Sequence, residues 1–334
     1  MPRFVKILLA VVAVLAIVYL LGPAPAKPVF APNLPTVPAG AAALSSYVAA
    51  QDAGRKIKPN NEARIVWYND SLQQPTDYAI VYLHGFSASQ EEGNPTHRDI
   101  ARQFGCNLYL SRLHEHGIDT TEQLVNYTAD GLWETSKQAL AIGKQLGKKV
   151  ILMGTSTGGS VALHLAAAFP NDVAGLVLIS PNIEINDANA WLLNNHWGKQ
   201  IATLVLGSPY RKGTDTDAPS LQYWNNTYRV EALVALQEYV ETAMVPATFE
   251  KVKQPTLALA YYKNDTAQDK TVKVSAIRTM MTQLGTPANQ KRLAEMPNTG
   301  DHVQGSPIKS KDVDGVKREI AGFLEKTMGL KAIN

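Results

Sequence analysis

Two runs of the chain, Ala79-Ile80-Val81-Tyr82-Leu83 and Val150-Ile151-Leu152-Met153, are apolar on both faces of the strands they predict. A strand of that kind is stable only where both faces are covered, as in a parallel sheet held between two helix layers. Further runs of the same type recur from about residue 63: Arg64 to Tyr68, Tyr78 to Leu83, Cys106 to Leu110, Lys149 to Met153, Ala174 to Ser180, Pro255 to Tyr262 and Arg292 to Met296. Helical stretches separate them at Pro95 to Phe104, Glu122 to Leu146 and Gly158 to Phe169. A final amphipathic helix is predicted from Val313, Val316, Ile320, Phe323, Leu324 and Met328, with Ser310 as its cap and Asp312 and Asp314 in its first turn. Strand and helix alternate, so the expected fold class is α/β, with a mostly parallel sheet and helices on both faces.

One connection is too long for an ordinary crossover. Roughly seventy residues separate the strand ending near Ser180 from the one starting near Pro255. This insert, residues 181–250, holds Trp191, Trp197, Tyr210, Tyr223, Trp224 and Tyr228 and a predicted helix from Val230 to Ala243. Above the carboxyl ends of a parallel sheet, an aromatic insert suits a lid, although most of these rings individually read as packing against the body.

The amino terminus has a different character. Arg3 and Lys6 precede the uncharged apolar run Ile7 to Leu21. That run is near the ~20 residues needed to span a bilayer, with Lys6 able to snorkel. A membrane anchor is the preferred reading of residues 1–22 and a cleaved secretory signal the alternative. In both cases the body is exported, and periplasmic if the source is bacterial, because the basic flank stays in the cytoplasm. Pro23, Pro25, Pro28, Pro32, Pro35 and Pro38 follow. They predict an extended, semi-rigid spacer within a linker of residues 23–62, holding a body of residues 63–334 off a membrane.

Composition removes other classes. At 45% hydrophobic and 18% charged, the chain has the material for a large core. Its formal net charge of +3 comes without a basic run interleaved with aromatics, which argues against a nucleic-acid partner. Cys106 is the only cysteine, so neither an internal disulfide nor a thiolate-rich metal site is available.

The chemistry concentrates in Gly154-Thr155-Ser156-Thr157-Gly158, between the strand Val150 to Met153 and a helix. A sharp strand-to-helix turn there forces Ser156 into strained backbone and lifts its hydroxyl clear, with glycines on both sides avoiding clashes. The free N–H of Thr157 at the helix start then faces any developing negative charge. His84-Gly85-Phe86-Ser87 follows the strand Tyr78 to Leu83, where a turn brings the Phe86 N–H beside that of Thr157 as a two-donor oxyanion hole. His84 itself reads as a loop brace. A nucleophilic serine needs a base, and among seven histidines His302 alone lies in a loop after the last strand and before the final helix. For the acid, Asp265 and Asp269 both occupy the loop after Tyr262; Asp269, three before Val272, is preferred, with a helix-capping role as its plainer alternative.

These motifs resemble the α/β-hydrolase superfamily, nearest its carboxylesterase and monoacylglycerol-lipase-like branch. The resemblance runs from about Asp77 to Met328. It rests on His84-Gly85-Phe86, Arg112-Leu113-His114-Glu115-His116-Gly117, Gly154 to Gly159 and Gly300-Asp301-His302-Val303. It implies Ser156, Asp269 and His302 as a triad and Phe86 and Thr157 as oxyanion donors, with no cofactor and no metal. Glu115 stands where that branch usually has glycine, and His114-Glu115-His116 reads as a structural loop rather than a metal site. The implied activity is hydrolysis of a small-molecule carboxylic ester, lipid-like in view of the apolar insert and the anchor. Two alternatives remain at this level: an amidase, peptidase or acyltransferase on the same triad, and an inactive membrane-tethered binding protein on the same scaffold.

Overall fold

The computed structural model describes residues 1–333. Its central sheet contains β1 (Arg64–Val66), β2 (Thr76–Leu83), β3 (Asn107–Leu110), β4 (Gly147–Thr155), β5 (Gly175–Ile179), β6 (Thr256–Ala260) and β7 (Lys291–Glu295). Their spatial order is β1-β3-β2-β4-β5-β6-β7. β1 runs antiparallel to β3, and all other neighbours are parallel. The doubly apolar runs explain the layering. Ala79, Val81 and Leu83 enter one core with Val150 and Leu152, while Ile80 and Tyr82 enter another with Ile151 and Met153. Helices Ala129–Leu146 and Thr157–Ala168 cover the first face, and Thr96–Gln103 and Val313–Lys326 cover the second.

Register brings the strand ends to one edge. Leu83 pairs with Gly154, Thr155 with Ile179, and Ile179 with Leu259. The loops that leave these positions therefore emerge side by side, which is where a parallel sheet builds a site.

Three local expectations are corrected. The helix expected from Glu122 starts at Ala129, because the Thr128 hydroxyl caps it by accepting the Gly131 N–H at 3.0 Å. The preceding residues instead form a loop that buries Leu124 and Tyr127. In the last helix Asp312, not Ser310, is the cap and accepts the Gly315 N–H at 2.9 Å; Ser310 lies two residues before it. The helix Ala41–Ala50, rich in alanine and without a strong apolar stripe, was not expected.

The proline-rich segment does not stand free. The Val29 and Phe30 N–H groups donate to Asp130, Trp133 Nε1 donates to the Ala31 carbonyl, and Lys137 Nζ donates to the carbonyls of Ala31 and Asn33. Phe30 packs edge-on against Trp133, His164 and Tyr239. Proline removes N–H donors but leaves carbonyls, so such a segment cannot complete a ladder and must find donors elsewhere. Helix Ala129–Leu146 supplies them. The segment is a strap along the body rather than a spacer.

Lys137→Met leaves the Asn33 carbonyl without that donor while keeping the side-chain volume. A loss of about 1–3 kcal/mol is expected, read as a lower thermal midpoint and faster proteolysis between residues 23 and 40.

Candidate active site

The turn after β4 is built by close approach. Ser156 has φ 55° and ψ −121°, a conformation that disfavours any residue with a side chain. Its N–H donates to the Ile179 carbonyl at 2.9 Å, and its own carbonyl accepts the Asn182 N–H at 3.0 Å. Gly158 passes so near β2 that a Cβ there would lie 1.9 Å from the Leu83 oxygen, and a Cβ on Gly154 would lie 2.4 Å from Gly158. Only glycine fits at either place. Ser156 is 7% exposed, with its Cβ against Gly85.

His302 and Asp269 meet: Nδ1 and Oδ2 lie 2.7 Å apart. The other Asp269 oxygen accepts the N–H groups of Thr271 and Val272 at 2.8 and 3.1 Å, which fixes the carboxylate. Asp269 is 1% exposed. Burial alone would raise its pKa, but His302 and those two N–H donors outweigh it and hold the group below the ordinary carboxylate value. For His302 burial alone would lower the pKa, and Asp269, followed by Glu92 and Asp301, raises it instead. Asp265 is elsewhere: it is exposed, on a small ribbon of Tyr262–Asn264 with Ala267–Gln268, and accepts the Tyr262 hydroxyl.

The end of β5 supports both halves of the arrangement. Ile179 holds the Ser156 N–H, and the next residue, Ser180, donates its hydroxyl to the His302 carbonyl at 2.8 Å. Gln304 Nε2 donates to that same hydroxyl oxygen at 2.7 Å. Ser180 was not singled out in the sequence; its signal was only its place before Pro181 at a strand end.

Phe86 and Thr157 lie at the two loops that flank Ser156, and among the described residues their N–H groups have no hydrogen-bond acceptor. The Phe86 loop is braced by histidines. His84 Nε2 accepts the Leu113 N–H and its Nδ1 faces the Gly85 carbonyl, both at 2.9 Å. His116 Nε2 accepts the Ser87 N–H at 2.9 Å, and its Nδ1 faces the His114 carbonyl. Burial lowers both histidines, His84 to about 4, so they are neutral braces with both ring nitrogens occupied. Glu115 takes φ 61°, the conformation a glycine would supply, and is tied to Arg55 at 3.2 Å. The loop therefore tolerates the substituted glycine by bearing local strain.

Glu92 is a carboxyl group the sequence did not flag. It is buried, accepts the Gly85 N–H and the Tyr82 hydroxyl, and lies where a Gly85 Cβ would touch both it and Ser156. Tyr82 in turn bonds Thr155 at 2.9 Å. Glu92 thus links the Phe86 loop to the residue before Ser156. Burial pushes its pKa up to about 8. Nothing in a run of ordinary polar residues, Ser89-Gln90-Glu91-Glu92, distinguishes it in advance.

The insert packs over this edge. The Asn225 N–H donates to the Ser87 carbonyl at 2.6 Å, and Tyr228 meets Phe86 edge-on at 5.2 Å. A cavity of about 620 Å³ lies between insert and body, lined by residues including Ile183, Val240, Met244 and Met280, and none of Ser156, Asp269 and His302 lines it.

Comparison with known proteins bears on the fold. Residues 134–290 match the family model described as serine aminopeptidase, S33. A 60-residue stretch is 37% identical to lipase LipV of Mycobacterium tuberculosis; it covers 18% of this chain and only 20% of that protein. A structure from the metagenome-derived lipolytic enzymes LipS and LipT superposes with a TM-score of 0.63 at 18% identity, over 81% of this chain and 100% of that one. The monoacylglycerol lipase of Paleococcus ferrophilus superposes at 0.57 and 15% identity, over 79% and 98%. The chain shares the fold of these lipolytic enzymes, a mostly parallel sheet with helices on both faces. Its structural neighbours include lipases and esterases, and the resemblance drawn from its motifs holds at the level of the fold.

Glu92→Gln tests the buried carboxyl. An unfolded glutamate loses its proton near its ordinary 4.5 and the folded one near 8, so the folded state holds one more proton between them. Stability of the parent therefore falls as pH rises through that window. Thermal unfolding of the variant is expected to lack that fall, and a parallel decline in both proteins would contradict the assignment.

Proposed function

We propose that the protein is a serine hydrolase that cleaves carboxylic esters through Ser156, His302 and Asp269. The observation that carries this reading is the 2.7 Å Asp269–His302 contact, held on the same strand end that holds the strained Ser156. In the proposed cycle His302 Nε2 takes the Ser156 proton as the oxygen attacks the ester carbonyl. Asp269 orients the imidazole and stabilises its cation. The N–H groups of Phe86 and Thr157 receive the oxyanion, a contribution of about 3 kcal/mol per donor in comparable sites. The C–O bond then breaks, the alcohol leaves with the proton from His302, and water repeats the sequence on the acyl-enzyme. No step calls on a cofactor.

The lipase and lipolytic names among the relatives favour an ester, and a lipid-like one, over an amide. The aminopeptidase description of the matching family model keeps peptide bonds as the second reading. The insert acts as the lid in this proposal, since Asn225 and Tyr228 hold it against the Phe86 loop beside Ser156. The apolar helix Arg3–Leu20 would anchor the enzyme with its body outside the cytoplasm.

Turnover of nitrophenyl butyrate by the full chain in detergent is the direct test. Ser156→Ala, His302→Ala and Asp269→Asn are each expected to lose on the order of 10⁴-fold in kcat, while Asp265→Asn stays near the parent. A folded parent that neither turns over the ester nor takes a fluorophosphonate label at Ser156 would sink the proposal. Turnover of an aminoacyl amide in place of the ester would establish the second reading.

The pH profile gives a separate check. Because His302 is raised above the ordinary histidine value, and only its neutral form is a base, kcat/KM should rise with pH through a midpoint above 6.5. The residual activity of Asp269→Asn should show that midpoint moved downward.

A further inference from the structure

The carboxyl end of the amino-terminal helix is clamped to the insert. None of the residues of Arg3–Leu20 is buried against the body, so the helix is free to occupy a bilayer. Immediately after it the chain becomes tightly held. The Trp197 N–H donates to the Pro23 carbonyl at 2.8 Å, Trp197 Nε1 donates to the Val18 carbonyl at 3.0 Å, and His196 Nδ1 meets the Gly22 carbonyl at 2.6 Å. Tyr19 packs edge-on against His196, their rings 5.5 Å apart. Gly22 is buried beneath the indole, and a Cβ there would lie 2.0 Å from Trp197 Nε1. Two of these bonds satisfy carbonyls of the last helical turn and its exit, groups that have no partner inside the helix. A second tie follows: Lys27 pairs with the buried Glu238 of helix Val230–Ala243 at 2.9 Å.

The element that starts at this clamp is the most apolar exposed part of the body. Helix Gly198–Leu206 follows Trp197 directly and leaves Leu204 82% and Val205 79% exposed, with Leu206 and Ile201 also open. Trp191, on the other side of the clamp, is exposed as well. Tyr19, His196 and Trp197 form a ring cluster at the depth where a spanning helix leaves hydrocarbon, the level at which tryptophan and tyrosine concentrate. Exposed apolar side chains gathered in one place mark an interaction surface, and this one adjoins the helix exit.

We propose that the insert is a second membrane contact: the clamp at Trp197 and His196 holds helix Gly198–Leu206 on the bilayer surface, with Leu204, Val205 and Leu206 inserted at the headgroup boundary. The partner is the lipid surface itself. The anchor is then not a loose tether, because it sets the orientation of the body and puts the insert where an ester dissolved in the bilayer meets the enzyme. The substrate half of this inference rests on the ester hydrolase reading above; the contact itself does not.

Cys106 is buried, so a cysteine introduced on the surface can be spin-labelled selectively. The full chain is reconstituted in vesicles of phosphatidylcholine with a minority of phosphatidylglycerol. It carries Leu204→Cys or, as a remote control, Lys148→Cys, whose parent lysine side chain is 75% exposed. The label at position 204 is expected to be accessible to oxygen and shielded from a water-soluble nickel chelate, and the label at 148 to be fully accessible to the chelate. Adding His196→Ala and Trp197→Ala should return position 204 to water. The same double variant should hydrolyse a bilayer-borne monoacylglycerol about tenfold more slowly, since lost orientation lowers effective concentration, yet keep the parental rate on soluble nitrophenyl butyrate. That retained rate also reports correct folding. A water-exposed label at 204 in the parental background overturns the contact. Equal rates of parent and double variant on the bilayer ester overturn its role in supply. Failure on both esters with a lipid-immersed label counts against the ester reading alone.

Discussion

The close approach of the chain at Gly158 to the Leu83 carbonyl underlies everything built at the sheet edge. It is possible because neither Gly154 nor Gly158 carries a Cβ, and it forces Ser156 into a left-handed conformation that a side chain resists. Strain of this kind, of order 1–3 kcal/mol, persists only where neighbours over-determine it. Here the bonds from Ser156 to Ile179 and Asn182 do so. The same contact presses Ser156 against Gly85 and aligns the starts of the two loops that offer Phe86 and Thr157. A strand pair, a helix and a loop are therefore one mechanical unit.

Three acidic groups around this unit, Asp269 and Glu92 buried and Asp301 half-buried, have been pushed in different directions. Asp269 is stabilised as an anion by two backbone N–H groups and by His302. Glu92 is pushed up to about 8 because its burial outweighs the Gly85 N–H, His302 and the Tyr82 hydroxyl together. Asp301 is also raised, chiefly by burial. The separation follows from the direct partner: Asp269 faces His302 and two backbone N–H groups, and these outweigh its burial. Asp269 is the carboxylate in direct contact with the imidazole, while Glu92 serves as a strut between the Phe86 loop and β2.

The proline-rich strap and the insert extend that order outward. A segment short of amide hydrogens was satisfied by Trp133 and Lys137, whose helix also packs on the sheet, and the chain before it was caught by Trp197 and His196. The carbonyls that proline and a helix end leave unpaired thus became attachment points. The insert consequently touches both the Phe86 loop, through Asn225 and Tyr228, and the end of the apolar helix.

Much of this was legible in the residues because it depends on local periodicity. Runs apolar on both faces can only be central strands, and glycines spaced around a serine between such a strand and a helix impose a turn. His302 followed from its place after the last strand. What the sequence left open depends on which distant groups meet. Asp265 and Asp269 stood four apart in one loop, and only the fold turned one outward to Tyr262 and the other inward to His302. Glu92 and Ser180 were invisible because their roles come from contacts across strands, not from neighbours in the chain. The proline spacing correctly excluded helix and strand from residues 23–39 and wrongly suggested a free spacer, since fixed φ and missing N–H groups bar both elements while docking follows from donors found about a hundred residues away. Backbone geometry and apolar pattern were thus determined by the sequence alone; the partner of each polar group was decided by the tertiary structure, because hydrogen bonding pairs whatever the packing of the core brings within reach.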